Sequence, residues 1–153
     1  MSIHTTLFAC LVLLLGSANT AHAVDSQQLL RKGINAYEAG AYRDAANILE
    51  QAKTNATATT DHYLWLGRSY GRLAEQSGFL SALSLAIETR RNLERAIELD
   101  SENIAAMKDL LKFYSQAPAL VGGGRDKAEK LRERLADMHQ TQRYEDYQQH
   151  SGS

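Results

Sequence analysis

The most informative stretch of this chain reads Tyr63-Leu64-Trp65-Leu66-Gly67-Arg68-Ser69-Tyr70. Its apolar and aromatic residues recur every three or four positions, which is the spacing of one face of an α-helix. A small residue such as Gly67 within this pattern indicates a place where a second helix comes close. A similar stretch surrounds Gly33, which lies 34 residues before Gly67. The sequence therefore predicts a helical unit that repeats with a period of about 34 residues.

Each unit is expected to be a pair of helices. In the first unit, Gly40 interrupts the helical periodicity, and a second helical stretch continues to about Thr54. Small residues on both helices would allow the two axes to approach closely, and two larger residues would fill the gap between them. The small residues are Gly33, Ala45 and Ala52, and the larger ones are Tyr42 and Leu49.

The second and third units depart from a regular spacing. The second has about ten extra residues, and its periodicity predicts a second helix that begins early, near Phe79. In the third unit, Ile104 to Gln116 is amphipathic, and Leu111 occupies the position of the glycine. Pro118 ends this helix, because proline disfavours helical geometry in the residue before it. A glycine-rich connection then leads to a last helix that opens at Arg125.

Tyr63, Leu66, Gly67 and Tyr70 resemble the first-helix signature of the tetratricopeptide repeat. The stretch Gln116 to Ala128 is also similar to one in small secreted bacterial tetratricopeptide proteins. The resemblance implies an all-α fold, in which about three antiparallel helix pairs form a right-handed superhelical array. The implied repeats are 26–59, 60–101 and 102–139, followed by 140–153 as a capping helix or tail.

The N-terminal segment is interpreted as a secretory signal. Leu7 to Leu15 is an uncharged apolar run, too short for a bilayer span of about 20 residues. Ala21-His22-Ala23 follows it, with small residues where signal peptidase requires them. We therefore expect a signal peptide at 1–23, cleavage after Ala23, and a single domain, 24–153, in the periplasm or outside the cell. This domain would have no stable membrane span; a retained N-terminal anchor is the alternative.

Composition and motifs argue against catalytic chemistry. The chain has 17 basic and 18 acidic residues and a net charge of −1, whereas a general nucleic-acid binder would be distinctly basic. Its single cysteine, Cys10, lies in the expected signal peptide, and no phosphate-loop, zinc or Gly-x-Ser-x-Gly motif occurs. His62, His139 and His150 lack metal-ligand spacing. We expect no enzymatic activity, no nucleic-acid partner, no metal and no cofactor.

The resemblance also implies a concave groove lined by the first helix of each pair. The groove positions are apolar and aromatic at one end and basic at the other. An adaptor or scaffold role is expected, with a protein or peptide as the partner and an acidic or C-terminal segment as the part that is bound. The candidate binding residues are Leu30, Ile34, Tyr37, Leu64, Arg68, Arg72, Lys108 and Lys112.

Two other functions are compatible with the sequence. The first is a structural subunit of an envelope complex or a homo-oligomer. The second is an anion-binding or enzymatic site at the loop Gly122-Gly123-Gly124, where free amides at a helix N-terminus, followed by Arg125 and Lys127, suit a phosphate. If this loop is only a turn, Gly123→Ala is expected to change stability little.

Processing is the first testable expectation. The secreted protein should begin at Val24, and N-terminal sequencing of protein from a periplasmic extract measures this directly. Ala23→Leu should block cleavage, because the peptidase accepts only small residues at this position. A wild-type chain that begins at Met1 in the membrane fraction would contradict the expectation.

Overall fold

The computed structural model describes residues 25–53 and 58–151, and these ranges contain helices and turns but no strand. The expected signal peptide, 1–23, lies outside them. A short 3-10 helix, Ala119–Val121, connects the last two α-helices. The prediction of an all-α protein is confirmed for these ranges. The α-helices are α1 (25–38), α2 (Tyr42–Lys53), α3 (Thr60–Glu75), α4 (Phe79–Leu99), α5 (Ile104–Gln116) and α6 (Arg125–Ser151).

The helices pack in chain order. Contacts join α2 to α3, α3 to α4, α4 to α5 and α5 to α6, and α3 also contacts α5. The turns at 39–41 and 76–78 are short, so the helices that they join lie antiparallel. α4 begins at Phe79 and has 21 residues, whereas α2 has 12. This confirms the predicted early start of α4, where apolar periodicity continues without a breaking residue.

Two glycines allow neighbouring helices to approach. A Cβ atom added at Gly33 would lie 2.5 Å from Cγ of Leu49, and one added at Gly67 would lie 3.0 Å from Cγ of Leu93. Each leucine thus occupies the space that a larger side chain on the facing helix would need. Further small residues at the helix contacts have no exposed surface; they are Ala45, Ala52 and Ala96.

The core consists of two clusters that share α3. Leu66 of α3 belongs to the cluster with α1 and α2, whereas Leu64 belongs to the cluster with α4, α5 and α6. α3 therefore buries apolar side chains on both flanks. The first cluster contains Leu30, Ala46, Leu49, Leu66 and Leu73. The second contains Leu64, Leu93, Ala96, Ala106, Met107, Leu110, Leu131 and Leu135.

The same tyrosine–glutamate hydrogen bond occurs at two successive interfaces. The hydroxyl of Tyr70 on α3 donates to Oε1 of Glu50 on α2 at 2.8 Å. The hydroxyl of Tyr114 on α5 donates to Oε1 of Glu94 on α4 at 2.7 Å. Burial, with the nearby carboxylate, raises the pKa of both tyrosines, so both hydroxyls remain donors. Donor and acceptor each recur after 44 residues, so the two interfaces are built alike.

His62 joins α1 to the start of α3. Its side chain is fully buried, and its Nδ1 accepts the backbone N–H of Thr59 at 3.1 Å. Because an amide can only donate, Nδ1 carries no proton and Nε2 does. Nε2 lies 3.2 Å from the carbonyl oxygen and 3.0 Å from Oγ of Ser26. Nε2 therefore joins α3 to α1, whereas Nδ1 caps the start of α3 itself.

The close approach at Gly33 generates a stability prediction. Gly33→Ala places a methyl group against the buried Leu49, and we expect it to destabilise the protein by about 1–3 kcal/mol. Gly71→Ala is the control, because its Cβ would lie 3.6 Å from Cγ2 of Thr89, an ordinary contact. That change should stabilise α3 by about 0.5–1 kcal/mol. Urea unfolding measures both variants, and equal stabilisation by the two substitutions would contradict the packing described here.

Candidate functional site

A cleft of about 200 Å³ opens on the surface formed by α1, α3 and α5. Four of the predicted binding residues line it: Tyr37 from α1, Arg68 and Arg72 from α3, and Lys112 from α5. The structure thus brings together side chains from three helices that are separated in the sequence. Lys108 is exposed on α5 one turn before Lys112, outside the lining of the cleft.

The residues predicted for the apolar end of the groove are largely buried in the structure. Leu30 and Leu64 are only 6% and 4% exposed, and each belongs to one of the core clusters. Ile34 is half-buried against the cluster that contains Leu30. Full burial of a leucine between helices contributes about 1.5–3 kcal/mol, and these side chains are used in that way. Leu30 and Leu64 are therefore core residues and offer no surface to a ligand.

The bottom of the cleft is formed where α3 lacks side chains. Gly67 and Gly71 both line the cleft, and beneath them lie Thr89 and Leu93 of α4. Leu93 is 2% exposed and Thr89 is 7% exposed. Phe113 of α5 closes one side. The interior of the cleft is therefore largely apolar, and the charged residues lie around its mouth.

Arg68 is held in place by two contacts. Its Nε lies 2.6 Å from Oδ2 of Asp109 on α5, and its guanidinium lies 4.6 Å from the ring centroid of Trp65. The ion pair is only partly exposed and joins two helix pairs. Arg68 is one of the predicted binding residues of the groove, and its charge is matched by a carboxylate from the neighbouring pair.

Arg72 is also engaged. Its Nη1 pairs with Glu75 one turn later on α3, and its Nη2 lies 3.3 Å from the hydroxyl oxygen of Tyr42. The guanidinium stands 5.1 Å from the ring centroid of the same tyrosine. Unlike Arg68, Arg72 is exposed, so water or a ligand can compete for its contacts.

An aromatic cluster, Tyr37, Tyr42 and Trp65, supports the two arginines. The ring centroid of Tyr37 lies 5.2 Å from that of Tyr42 and 5.3 Å from that of Trp65. Partial burial raises the pKa of Tyr37, an effect that the positive charges of Arg68 and Arg72 oppose. The sequence predicts a packing role for Tyr42, whereas it predicts no separate role for Trp65. The i, i+3 spacing of Trp65 and Arg68 places them on the same face of one helix, and this spacing is the sequence signal from which their contact could be predicted.

Two lysines of α5 have no acidic partner within the described part of the chain. Lys108 and Lys112 are both exposed, and no ion pair to either occurs within 25–53 and 58–151. Arg68 and Arg72, in contrast, are each matched by a carboxylate. Among the charged residues that line the cleft, Lys112 is therefore the cation without a carboxylate partner in the described part of the chain. An approaching anionic group is attracted to this side of the cleft.

The glycine loop, Gly122-Gly123-Gly124, is a closed turn whose own amides are engaged. Its three amides donate to carbonyl oxygens of Ala119, Pro118 and Tyr114 at 2.9, 3.1 and 2.9 Å, so they are not available to a phosphate. Nζ of Lys127 donates to the carbonyl oxygen of Gly122 at 3.2 Å. Gly122 has φ of 95°, a conformation that favours glycine.

Gly123 is the tightest position of this loop, contrary to the expectation of a tolerant site. A Cβ atom there would lie 1.9 Å from the carbonyl oxygen of Ala117. Nε of Arg90 on α4 donates to the carbonyl oxygen of Val121 at 3.1 Å, which holds the loop against α4. The loop thus connects α5 to α6 while packing closely on α4 and on the end of α5.

In the part of the chain that the structure describes, no three His, Cys, Asp or Glu side chains are grouped in a way that could hold a metal ion. Nor does any described helix combine the length and apolar character needed to cross a membrane. Comparisons with protein-family models, with curated proteins and with solved structures found no match to this chain. The cleft is therefore the feature of the molecule from which a function is inferred.

The loop geometry predicts different effects for two adjacent glycines. Gly123→Ala should lower the free energy of unfolding by about 1–3 kcal/mol, because the backbone of Ala117 must move. Gly124→Ala is the matched control, since no atom lies within 4 Å of the added Cβ, and it should change stability by less than about 0.5 kcal/mol. Urea unfolding of both variants measures the difference, and similar stabilities would show that the loop is not closed in this way.

Proposed function

We propose that this chain is a tetratricopeptide-like, non-enzymatic protein-binding module that binds an acidic peptide segment on the surface formed by α1, α3 and α5. In this proposal, three antiparallel helix pairs form a right-handed superhelical array, and that surface is its concave side. The repeated tyrosine–glutamate bond supports equivalent pairs, since Tyr70 and Tyr114 occupy the same place in successive interfaces. Glycines at Gly33 and Gly67 support the same equivalence.

The observation that carries the proposal is the uneven pairing of charges around the cleft. Arg68 and Arg72 have carboxylate partners, whereas Lys108 and Lys112 have none among the described residues. Two unpaired ammonium groups one turn apart on an exposed helix face attract carboxylates. Charge-assisted hydrogen bonds of this kind contribute about 1.5–3 kcal/mol each.

The proposed location is the periplasm or the exterior of the cell. This part of the proposal rests on the apolar run Leu7 to Leu15 and on the small residues Ala21 and Ala23 before the expected cleavage position. A module in this compartment would act as an adaptor or scaffold for envelope or secreted proteins.

A second candidate function, a structural subunit, is supported by exposed apolar side chains at the turns. Phe79, Leu80 and Leu120 are 76%, 80% and 77% exposed, although large apolar side chains gain free energy by burial. Multi-angle light scattering of the purified mature chain discriminates between the two functions. A stable oligomer that Leu80→Glu converts to a monomer would favour the structural role, and a monomer at all concentrations would favour the binding module.

The binding proposal predicts a loss of affinity when the lysines are reversed. The probe is an acetylated and amidated pentapeptide, Glu-Asp-Gly-Glu-Asp, and the readout is the fluorescence of Trp65, the only tryptophan of the chain. Lys108→Glu with Lys112→Glu should weaken binding at least tenfold, since about 1.5–3 kcal/mol is lost per hydrogen bond. Wild-type affinity should also fall as salt is added.

Controls separate the local effect from net charge. Lys32→Glu with Lys130→Glu makes the same change in net charge at exposed positions outside the cleft and should leave binding nearly unchanged. The neutral peptide Gln-Asn-Gly-Gln-Asn should bind weakly to every variant. Equal binding by wild type and by the Lys108 and Lys112 reversal would contradict the proposed function.

A further inference from the structure

We infer that the cleft is a side-chain pocket, which accepts one apolar side chain of about leucine or phenylalanine size from the bound segment, next to an acidic residue held by Lys112. This inference rests on the proposed function, because it assumes that a peptide segment lies on the surface of α1, α3 and α5. It adds the chemical identity of the residue that enters the cleft.

The depth of the pocket comes from the absence of two side chains. Gly67 and Gly71 are spaced four residues apart on α3, so they lie on one face of the helix, one turn from each other. Through this gap the pocket reaches Leu93 of α4, which any larger residue at Gly67 would displace, since Cγ of Leu93 would lie 3.0 Å from the added Cβ. At Gly71 an added Cβ atom would lie 3.6 Å from Cγ2 of Thr89, an ordinary van der Waals contact, so a side chain can begin there without displacing Thr89.

The volume of the pocket sets the size of its occupant. The cleft measures about 200 Å³, which is below the range of about 300–1,000 Å³ that is usual for small-molecule sites. An apolar cavity of about 150 Å³ is known to accommodate a benzene molecule. One leucine or phenylalanine side chain therefore matches the space, whereas a larger ligand does not.

The walls determine the polarity of the occupant. Tyr37 and Phe113 stand on opposite helices, α1 and α5, and face the same cleft. Leu93 is almost completely buried at its bottom. A carboxylate moved to this position would lose its hydration without gaining a partner, which is costly. The bottom of the cleft therefore selects an apolar group.

The charged residues at the mouth of the cleft determine which peptide residue can lie next to the apolar side chain. Asp109 and Glu75 at the mouth are already paired with Arg68 and Arg72, so they do not repel an acidic ligand as free carboxylates would. Lys112 also lines the cleft and has no ion-pair partner among the described residues. An acidic residue adjacent to the apolar one would meet this ammonium group.

The test compares two blocked peptides that differ only at the centre, Glu-Asp-Leu-Glu-Asp and Glu-Asp-Gly-Glu-Asp. Burial of the leucine side chain should make the first peptide bind about ten- to a hundredfold more tightly to the wild-type chain. Titrations followed by Trp65 fluorescence report on this site, because Trp65 contacts Tyr37 and Arg68, which line the cleft.

Filling the pocket supplies the decisive variant. Gly71→Leu should abolish the preference for the leucine peptide and leave the affinity for the glycine peptide within about threefold, since Lys112 is unchanged. Gly78→Leu is the matched control: this residue is exposed, outside the cleft and without neighbours within 4 Å of the added Cβ. It should retain the full preference. Circular dichroism melting establishes that both variants are folded.

The outcomes distinguish the pocket from the binding function as a whole. If wild type binds both acidic peptides equally well, or if Gly71→Leu keeps the preference for leucine, the pocket inference is overturned while the proposed function stands. If neither acidic peptide binds, both fail. If the Lys108 and Lys112 reversal weakens both peptides while the preference for leucine persists, the pocket and the acidic contact act separately, as the inference requires.

Discussion

The close contact of a glycine on one helix with a leucine on the next is the constraint on which the rest of the structure depends. Gly33 faces Leu49 and Gly67 faces Leu93, and an added Cβ atom would lie 2.5 Å and 3.0 Å, respectively, from Cγ of the facing leucine. Because Leu93 is drawn so near to α3, it becomes both a core residue and the bottom of the cleft. The same packing choice therefore produces stability and the recessed surface that a ligand can enter.

Electrostatic pairing determines how that surface is charged. Arg68 forms an ion pair with Asp109 of the neighbouring helix pair, and its contact with Trp65 restricts its conformations further. An ion pair that is partly removed from water adds little net free energy of stabilisation, but it fixes the relative positions of the two side chains. Because Arg68 is engaged in this way, Lys108 and Lys112 of α5 and the exposed Arg72 of α3 are the cations of this surface that a partner can reach.

Local patterns predicted the helices well, because periodicity is a property of neighbouring residues. The early start of α4 at Phe79 followed from its apolar spacing alone. Features that depend on distant residues were not predictable. Leu30 and Leu64 fit a groove pattern, yet both are buried, because the rotation of a helix is decided by everything that packs on it. No local signal indicated that Arg68 would meet Asp109, or that Gly123 would touch the backbone of Ala117.

The position of α3 between the two core clusters has a consequence for how the protein opens. Leu66 and Leu64 tie this helix to both halves of the chain, so it cannot separate without exposing apolar surface on two sides. In an array where each unit contacts mainly its neighbours, fraying begins at the ends. Amide protons of α3 should therefore exchange with solvent most slowly, and those of the last turns of α6 most rapidly. The helix that forms the centre of the cleft is then also the most persistent part of the native state, so the cleft would remain intact during partial unfolding at the C-terminal end.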